Sequence, residues 1–205
     1  MGDKYIKQVD KFQYLGSWLT SDGRCTTDVK SRISQGKQAF IKMSKVLCSL
    51  HLRLATRYRI LRSYVWSVMT YGSENWTLNK KLLKSINSFE TWCVRRLLGI
   101  KWDDFVRNDD VWRKCDFKRG TLIGHIIKQQ LTFIGHIYRA DGIENLILTG
   151  MIPGKRCQGR RRLTLMDNIC RWTGITKIEL FRKMRDGLEW RAVVANAVRQ
   201  GRLID

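Results

Sequence analysis

Several features are scarce or missing in this 205-residue sequence, and each absence narrows the class of protein. No stretch approaches the roughly 18 consecutive apolar residues of a membrane-spanning helix. The N-terminal residues contain no apolar segment like that of a secretory signal peptide, and the six cysteines include no CxxC pair. The sequence therefore predicts an intracellular protein with reduced thiols, in the nucleus or the cytoplasm, without a membrane partner.

Acidic residues are also scarce. The chain has 18 Asp and Glu against 39 Lys and Arg, which gives a net charge of +21. Residues 1–102 hold 19 of the basic and 6 of the acidic residues, so the excess is not confined to one tail. Such an excess destabilises a compact chain by self-repulsion unless a polyanion neutralises it. Because 43% of the residues are hydrophobic, we expect a packed core with nucleic acid as its partner.

Apolar periodicity predicts a mostly α-helical fold behind a small N-terminal β-hairpin. Residues 5–23 alternate in the manner of paired strands, with Gly16 at a tight bend or a bulge. From Thr26 the apolar spacing changes to steps of three and four, which is typical of one helix face. That face consists of Val29, Ile33, Gly36, Phe40, Met43, Leu47 and Leu50.

Further helices are predicted over 55–71, over 80–98 and over 120–139, followed by two or three final helices from Arg162 onward. Glycines stand just after the first two of these helices, where left-handed stops are common. The buried face predicted for the helix over 80–98 consists of Leu82, Ile86, Phe89, Cys93 and Leu97.

An acid-rich connector at 102–110 is the natural boundary between two helical regions. The sequence therefore divides into a hairpin (1–23), a helical bundle (24–102) and a C-terminal basic helical region (103–205).

Residues that could carry chemistry are few and poorly spaced for it. His125 and His136 share a helix face, but eleven residues place them about 16 Å apart along the axis, too far for one zinc ion. The acid pairs at 103–104 and 109–110 are better explained by helix capping than by magnesium binding. The sequence contains no GxxxxGK[ST], no GxSxG and no HExxH motif. We therefore predict no catalytic site, no metal and no cofactor in this chain.

A glycine-containing basic loop, PGKRCQGRRR at 153–162, is the strongest candidate for binding an anion. Glycine and proline let the backbone turn sharply and approach a surface closely. Arginine guanidinium groups match the oxygens of phosphate. The predicted phosphate ligands are Lys155, Arg156, Arg160, Arg161 and Arg162. The last of these is expected to open the following helix, whose N-terminal amides would add a second phosphate site.

Other cations along the helices are also candidate phosphate ligands. Three lysines lie on one side of the first helix, where an ordinary solvated face is the alternative interpretation. Two arginines occupy the last turn of the helix over 80–98, and a histidine and an arginine end the helix over 120–139. These residues are Lys30, Lys37, Lys45, Arg95, Arg96, His136 and Arg139.

Five short strings occur in a fixed order along the chain. They are FQYLGSWLTSDG at 12–23, YGSENW at 71–76, RRLLGIKW at 95–102, GHIYR at 135–139 and GKRCQGRRR at 154–162. In this order and with these separations they resemble the C-terminal part of the reverse transcriptase of eukaryotic non-LTR retrotransposons. The resemblance extends over nearly the whole chain.

This resemblance implies that each region holds nucleic acid. FQYLG resembles the primer grip at the edge of the polymerase palm, which assigns Tyr14, Leu15 and Gly16 to contacts with the primer. The helices between 26 and 99 resemble the thumb that closes on the template–primer hybrid. The region beyond 100 resembles the part that holds element RNA and target DNA, so RNA and DNA are the expected partners.

The family's catalytic aspartates do not occur in this sequence. The Tyr-x-Asp-Asp motif, which helps to hold two Mg²⁺ ions in the family, lies upstream of the matched region and is absent here. The strings LTLMDN at 163–168 and EWRAVV at 189–194 also depart from the family pattern. The resemblance therefore implies a fragment that binds but does not polymerise alone, with Mg²⁺ expected only together with a palm.

Two other readings stay open on the sequence alone. The chain could be a domesticated helical interaction or scaffold protein whose charge serves solubility. It could also belong to an active reverse transcriptase, completed by a palm in the same or in a second chain. Thumb surfaces that a palm would cover could drive self-association, because contiguous apolar patches seldom stay exposed.

Overall fold

A computed structural model describes residues 8–115, 117–140, 142–151, 159 and 162–200. Helices dominate these residues and follow a two-stranded N-terminal hairpin, which confirms the predicted mostly α-helical fold. Among the described residues, no helix is both long enough and apolar enough to cross a membrane.

The hairpin pairs β1 (Lys11–Tyr14) with β2 (Ser17–Thr20) in antiparallel register. Its two turn residues, Leu15 and Gly16, have φ angles of 48° and 82°. A two-residue turn with both φ angles positive matches the right-handed twist of the strands, and glycine adopts such angles without strain. The tight bend predicted at Gly16 is therefore confirmed.

The first long helix is shorter than its apolar pattern predicts. α1 (Thr26–Lys42) ends at Met43, and the short α2 (Ser44–Leu47) follows. Because the chain turns at Met43, the helical period does not continue beyond α2. Leu50, which the pattern places on the buried face, is 87% exposed, so that part of the prediction is wrong.

The start of α1 anchors the hairpin. Cys25 occupies the position before the helix and makes no side-chain cap. Asp28 in the first turn is buried; its carboxylate accepts a hydrogen bond from the backbone N–H of Trp18 (2.9 Å) and one from the indole N–H of Trp76 (2.7 Å). One carboxylate thus joins the hairpin, α1 and the segment before the next long helix.

The helix predicted over 55–71 is built from three consecutive pieces. They are α3 (Leu54–Ile60), a π-helical segment (Leu61–Trp66) and α4 (Ser67–Met69), and a short 3-10 turn (Ser73–Asn75) comes next.

α5 (Lys80–Leu97) matches its predicted bounds closely. The side chain of Asn79 caps it by accepting the backbone N–H of Leu82, and all five residues of the predicted face are buried. α6 (Asn108–Arg113) has the acid pair at 109–110 in its first turn, although its cap position is Arg107 and no side chain caps it.

The second half of the chain is arranged around one long helix. Its elements are α7 (Thr121–Arg139), α8 (Ile143–Thr149), α9 (Leu165–Thr173), α10 (Lys177–Arg185) and α11 (Gly187–Gln200). α7 contacts α8, α10 and α11 on one side and α5 with the 3-10 turn on the other, so it lies between the two helical halves. Apolar side chains of all these long helices belong to one buried cluster.

A buried carboxylate reaches from the first half to the second. Glu90 of α5 accepts hydrogen bonds from the backbone N–H groups of Gly120 (3.0 Å) and Leu122 (2.9 Å), at the N-terminus of α7. A negative charge there complements the helix dipole and satisfies amides that have no partner within the helix. Burial nevertheless raises the pKa of Glu90 to about 7, against the lowering effect of those two N–H groups.

Candidate nucleic-acid interface

A row of three adjoining cavities follows the exposed side of α7. The first, of about 430 Å³, reaches His125 from the α3 side, and the second, of about 390 Å³, extends from His125 to His136. The third, of about 680 Å³, lies between α7 and α11 and shares Lys128, Thr132 and His136 with the second. Because neighbouring cavities share lining residues, they adjoin one another along α7, and we call the surface that they form together the α7 groove.

Basic side chains line the α7 groove from end to end. They are Arg59, Arg62, His125, Lys128, His136, Arg139, Arg191 and Arg199. Among the described residues that line the groove, Glu74 is the one acid. From His125 to Arg139 the groove runs about 21 Å along the helix axis, which equals about six nucleotide steps of one duplex strand. A basic surface of this length suits a sugar–phosphate backbone.

The histidines of the groove differ in their surroundings. Burial, followed by the charges of Arg62 and Lys128, lowers the pKa of His125 below its ordinary value. The His125 ring lies 6.1 Å from the ring of Trp66, so it also packs against the first half. His136 is exposed and lines both the second and the third cavity. His125 therefore contributes mainly a neutral imidazole near pH 7.

Fixed contacts hold α7 and α11 in place around the groove. The side-chain amide of Gln130 donates to the backbone carbonyls of Ser73 (2.6 Å) and Trp76 (3.0 Å). The indole N–H of Trp190 donates to the Leu131 carbonyl at 2.7 Å. Trp190 lies so close to Gly135 that a Cβ there would be 2.2 Å from the indole nitrogen. The groove is thus a feature of packed helices and not of a loop.

Both phosphate ligands that the sequence predicts on α7 lie in the α7 groove. His136 and Arg139 line the third cavity, and Arg139 also donates to the carbonyl of Met184 at 3.0 Å. The latter contact fixes one guanidinium nitrogen and leaves the other donors for a ligand.

The candidates on α1, α2 and α5 lie elsewhere. Lys30, Lys37 and Lys45 are exposed. The prediction that all three share the first helix is wrong, because Lys45 lies on α2, beyond the turn at Met43. Lys37 and Arg96 lie over the ring of Trp92, at 5.6 Å and 4.6 Å from its centroid. We call this cluster of Lys37, Trp92 and Arg96 the Trp92 cluster.

Arg95 makes contacts within the protein. Its guanidinium donates to the backbone carbonyls of Val106 (2.8 Å) and Lys101 (3.2 Å), both in the loop between α5 and α6. The loop carries Trp102 and Phe105, which are 84% and 85% exposed. Arg95 therefore stabilises the connector, and its use for phosphate stays a prediction.

Most of the basic loop at 153–162 lies outside the described residues. This applies to Lys155, Arg156, Arg160 and Arg161. Arg162 is described, and its guanidinium donates to the backbone carbonyl of Asp22 at 3.0 Å. The end of the basic loop thus lies beside the end of the hairpin, 140 residues earlier in the chain.

The expectation that Arg162 opens a helix is wrong. α9 starts at Leu165, and Thr164 forms a capping box with Asp167, whose carboxylate accepts the Thr164 N–H at 2.9 Å. The hydrogen bonds from Thr164 and the neighbouring Lys177 lower the pKa of Asp167 to about 2, although burial opposes them. The N-terminus of α9 is capped by the chain itself, because the helix begins three residues later than the basic run suggests.

The residues assigned to primer contact form the hairpin turn and its flank. Tyr14 and Leu15 are 58% and 74% exposed. The Gly16 carbonyl accepts a hydrogen bond from Arg32 at 2.6 Å, and the Tyr71 hydroxyl donates to the Leu15 carbonyl at 3.3 Å. Hydrogen bonds from Arg32 and Tyr71 therefore hold the backbone of the turn, while the side chains of Tyr14 and Leu15 are exposed.

Sequence reasoning missed much of the α7 groove. Arg191 and Arg199 become its neighbours only because α11 packs along α7, which no local pattern indicates. Lys128 could have been found, because it falls between His125 and His136 on the same helix face. Among the described residues, no group of three or more His, Cys, Asp or Glu is placed to hold a metal ion.

Comparisons with known proteins give limited information. No protein-family model matches the sequence, and no solved structure gives a significant match. A Caenorhabditis elegans protein described as uncharacterized and transposon-derived is 26% identical over 189 residues. The match covers 89% of this chain and 64% of that protein, so the chain spans less than two thirds of the length of this relative. The similarity points to a transposon-related origin for the sequence.

Proposed function

We propose that this chain is the nucleic-acid-holding, C-terminal part of a non-LTR retrotransposon reverse transcriptase. It binds RNA and DNA, including a template–primer hybrid, and lacks the aspartates that catalyse polymerisation. The observation that carries the proposal is the α7 groove, a row of cations with almost no acid on a rigid helical support. The resemblance of the ordered sequence strings supports the polymerase family, and the transposon-derived relative supports the origin.

The groove suits binding that depends on phosphate and not on base sequence. Lysine and arginine contacts to phosphate fix the position of a protein but read no bases. Each neutralised phosphate releases counterions, so the logarithm of the binding constant should fall with log salt by about 0.9 per duplex phosphate contacted. The basic loop at 153–162 is proposed as an additional contact outside the groove.

The exposed hairpin face is consistent with a palm as a further partner. Phe12, Tyr14 and Leu19 project from one face of the two strands and are each more than half exposed. In the proposed polymerase, the palm covers this face and supplies the carboxylates for Mg²⁺. The 205-residue chain alone should then bind a hybrid and fail to extend a primer.

Titration of a labelled RNA–DNA hybrid at several salt concentrations tests the proposal. We expect binding that weakens steeply with salt and differs little between unrelated sequences. Replacing Arg160, Arg161 and Arg162 together with alanine should weaken binding to all sequences alike and flatten the salt dependence. The proposal would be refuted if the folded protein does not bind the hybrid at low salt, or if it extends a primer without another protein.

A further inference from the structure

We propose that the cavity between α7 and α11 holds one unpaired nucleotide of the bound strand. The inference rests on the proposed nucleic-acid function and adds a substrate preference to it. A chain with this cavity should prefer nucleic acid that contains an unpaired nucleotide over a fully paired duplex.

The cavity has the size and the rigidity of a ligand site. Its volume of about 680 Å³ falls within the range of roughly 300–1,000 Å³ that is usual for small-molecule sites. One wall includes Trp190, which is 2% exposed and whose indole N–H donates to the Leu131 carbonyl. Since Trp190 also contacts Gly135 directly, the two helices cannot approach further, and the cleft between them is fixed.

The lining combines an apolar wall with a cationic rim. Val194, Ala195 and Val198 of α11 extend the wall formed by Trp190. The rim consists of Lys128, His136, Arg139, Arg191 and Arg199, with no acid among the lining residues that the structure describes.

The charges of the rim are available to a ligand. Lys128, Arg191 and Arg199 make no ion pair and no hydrogen bond with the described residues, and Arg139 uses one nitrogen on the Met184 carbonyl. Cations placed this closely repel one another unless an anion lies between them. The site therefore favours a ligand that carries negative charge at its edge and an apolar surface at its centre.

A nucleotide within a strand has this distribution. Its base presents a large, weakly hydrated face to the apolar wall, and the phosphates on either side lie where the rim can contact them. A paired base is covered by its neighbours in the stack, so it would have to leave the duplex before it could enter the cavity. The cost of this step is smallest for a base that is already unpaired. The cavity should therefore bind nucleotides in bulges, overhangs and single strands.

Three variants separate this cavity from the rest of the groove. Ala195→Trp and Val198→Phe each fill the cavity without removing a cation. Ala192→Trp adds the same bulk as the first variant on an exposed position of α11 outside the cavity, and is the matched control. Circular dichroism and thermal unfolding identify any variant that does not fold. If one of the two filling variants does not fold, the other still tests the inference.

Anisotropy titrations use a matched RNA–DNA hybrid and the same hybrid with one bulged 2-aminopurine. We expect the wild type and Ala192→Trp to bind the bulged hybrid roughly fivefold or more tightly than the matched one. The filling variants should bind both hybrids with equal affinity, close to that of the wild type for the matched hybrid. The emission of 2-aminopurine should change on binding to the wild type and not on binding to the filling variants.

Three results would overturn the inference. Equal affinity of the wild type for both hybrids removes the proposed preference and leaves the proposed function intact. A preference that survives in a folded filling variant places the unpaired nucleotide elsewhere. Absence of binding to either hybrid refutes the proposed function and the inference together.

Discussion

The two helical halves of the protein both contain many cations, but they use them differently. In the first half, from α1 to α5, the guanidinium of Arg57 is buried and bonded to three backbone carbonyls, and Arg95 bridges two carbonyls of the connector. The cations of the Trp92 cluster lie over an indole ring. In the second half, the cations of α7 and α11 face a shared cavity.

This difference shows that the number of cations in a sequence does not locate a binding surface. A buried arginine bonded to carbonyls stabilises the fold, and its charge is not available to phosphate. The charges of cations that face a cavity without partners are available to phosphate. These cations repel one another until an anion binds between them. Substitutions of the first-half arginines that are bonded to carbonyls should therefore change stability, and substitutions of the α7 groove cations should change binding.

The largest expected effect concerns the contact that joins the two halves. Replacing Glu90 with glutamine keeps the shape of the side chain but removes its titration. Burial raises the folded-state pKa of Glu90 from 4.5 to about 7, so proton binding favours the folded state. The stability that this gives is fully present below about pH 4.5 and is lost as the pH rises through about 7.

Urea unfolding of the wild type and Glu90→Gln across that range measures the effect. Between about pH 4.5 and about pH 8, the wild type should lose about 3 kcal/mol of unfolding free energy relative to the variant. Asp167 does not interfere, because its lowered pKa of about 2 places its contribution at lower pH, lost only as the pH falls below 3.8. Parallel stability profiles for the two proteins would show that Glu90 does not titrate in this range.

The next largest effect should be on binding. Replacing Lys128 and Arg191 with glutamine removes two groove cations that have no partner among the described residues. If each contacts one phosphate, the salt slope should fall by about 1.8 and the affinity for a hybrid by roughly 60-fold at about 0.1 M salt. Stability should change little, because both side chains are exposed. An unchanged slope in this folded variant would place the hybrid outside the groove.

The opposite outcome is expected for Arg57. Its guanidinium donates to the carbonyls of Leu52 (3.1 Å), Leu47 (3.3 Å) and Leu97 (2.5 Å). Arg57→Met leaves these carbonyls without their donor and should lower the unfolding free energy by about 2 kcal/mol. The salt slope of hybrid binding should stay unchanged at temperatures where the variant is folded. A weaker salt dependence of hybrid binding in Arg57→Met would contradict this, because it would mean that the buried Arg57 contacts phosphate.

The smallest effect is expected at the Trp92 cluster. Replacing Lys37 and Arg96 with glutamine removes two cation–π contacts, each contributing about 0.5–1 kcal/mol at exposed positions. Hybrid affinity should fall by less than about threefold at about 0.1 M salt, because both charges lie outside the groove and are screened over about 10 Å. A loss as large as that of the groove variant would remove the contrast between the two halves.

Apolar spacing and glycine stop signals predicted the helices well where the helical period is not interrupted. The three- and four-residue spacing predicted the buried face of α5, and Gly99, a predicted helix stop, follows α5 with a positive φ. The prediction failed at Leu50, because a turn at Met43 interrupts the helical period without any local signal. It also failed at Arg162, where Thr164 and Asp167 set the true helix start.

The candidate site was harder to predict because it depends on packing between distant segments. Local reasoning found His136 and Arg139, which lie on one helix. It could not find Arg191, whose position beside α7 depends on the fit of Trp190 against Gly135. Contacts over more than fifty residues carry no periodic signal, and they decide which cations share a surface.

Lysine footprinting tests the central claim, that nucleic acid binds in the α7 groove, most directly. The folded chain is acetylated briefly with and without a saturating RNA–DNA hybrid, and mass spectrometry measures the modification of each lysine. We predict that the hybrid protects Lys128 much more strongly than Lys30 on α1 and Lys45 on α2, which both lie outside the groove. Unchanged modification of Lys128 while the hybrid is bound, or stronger protection of Lys30 and Lys45, would contradict the claim.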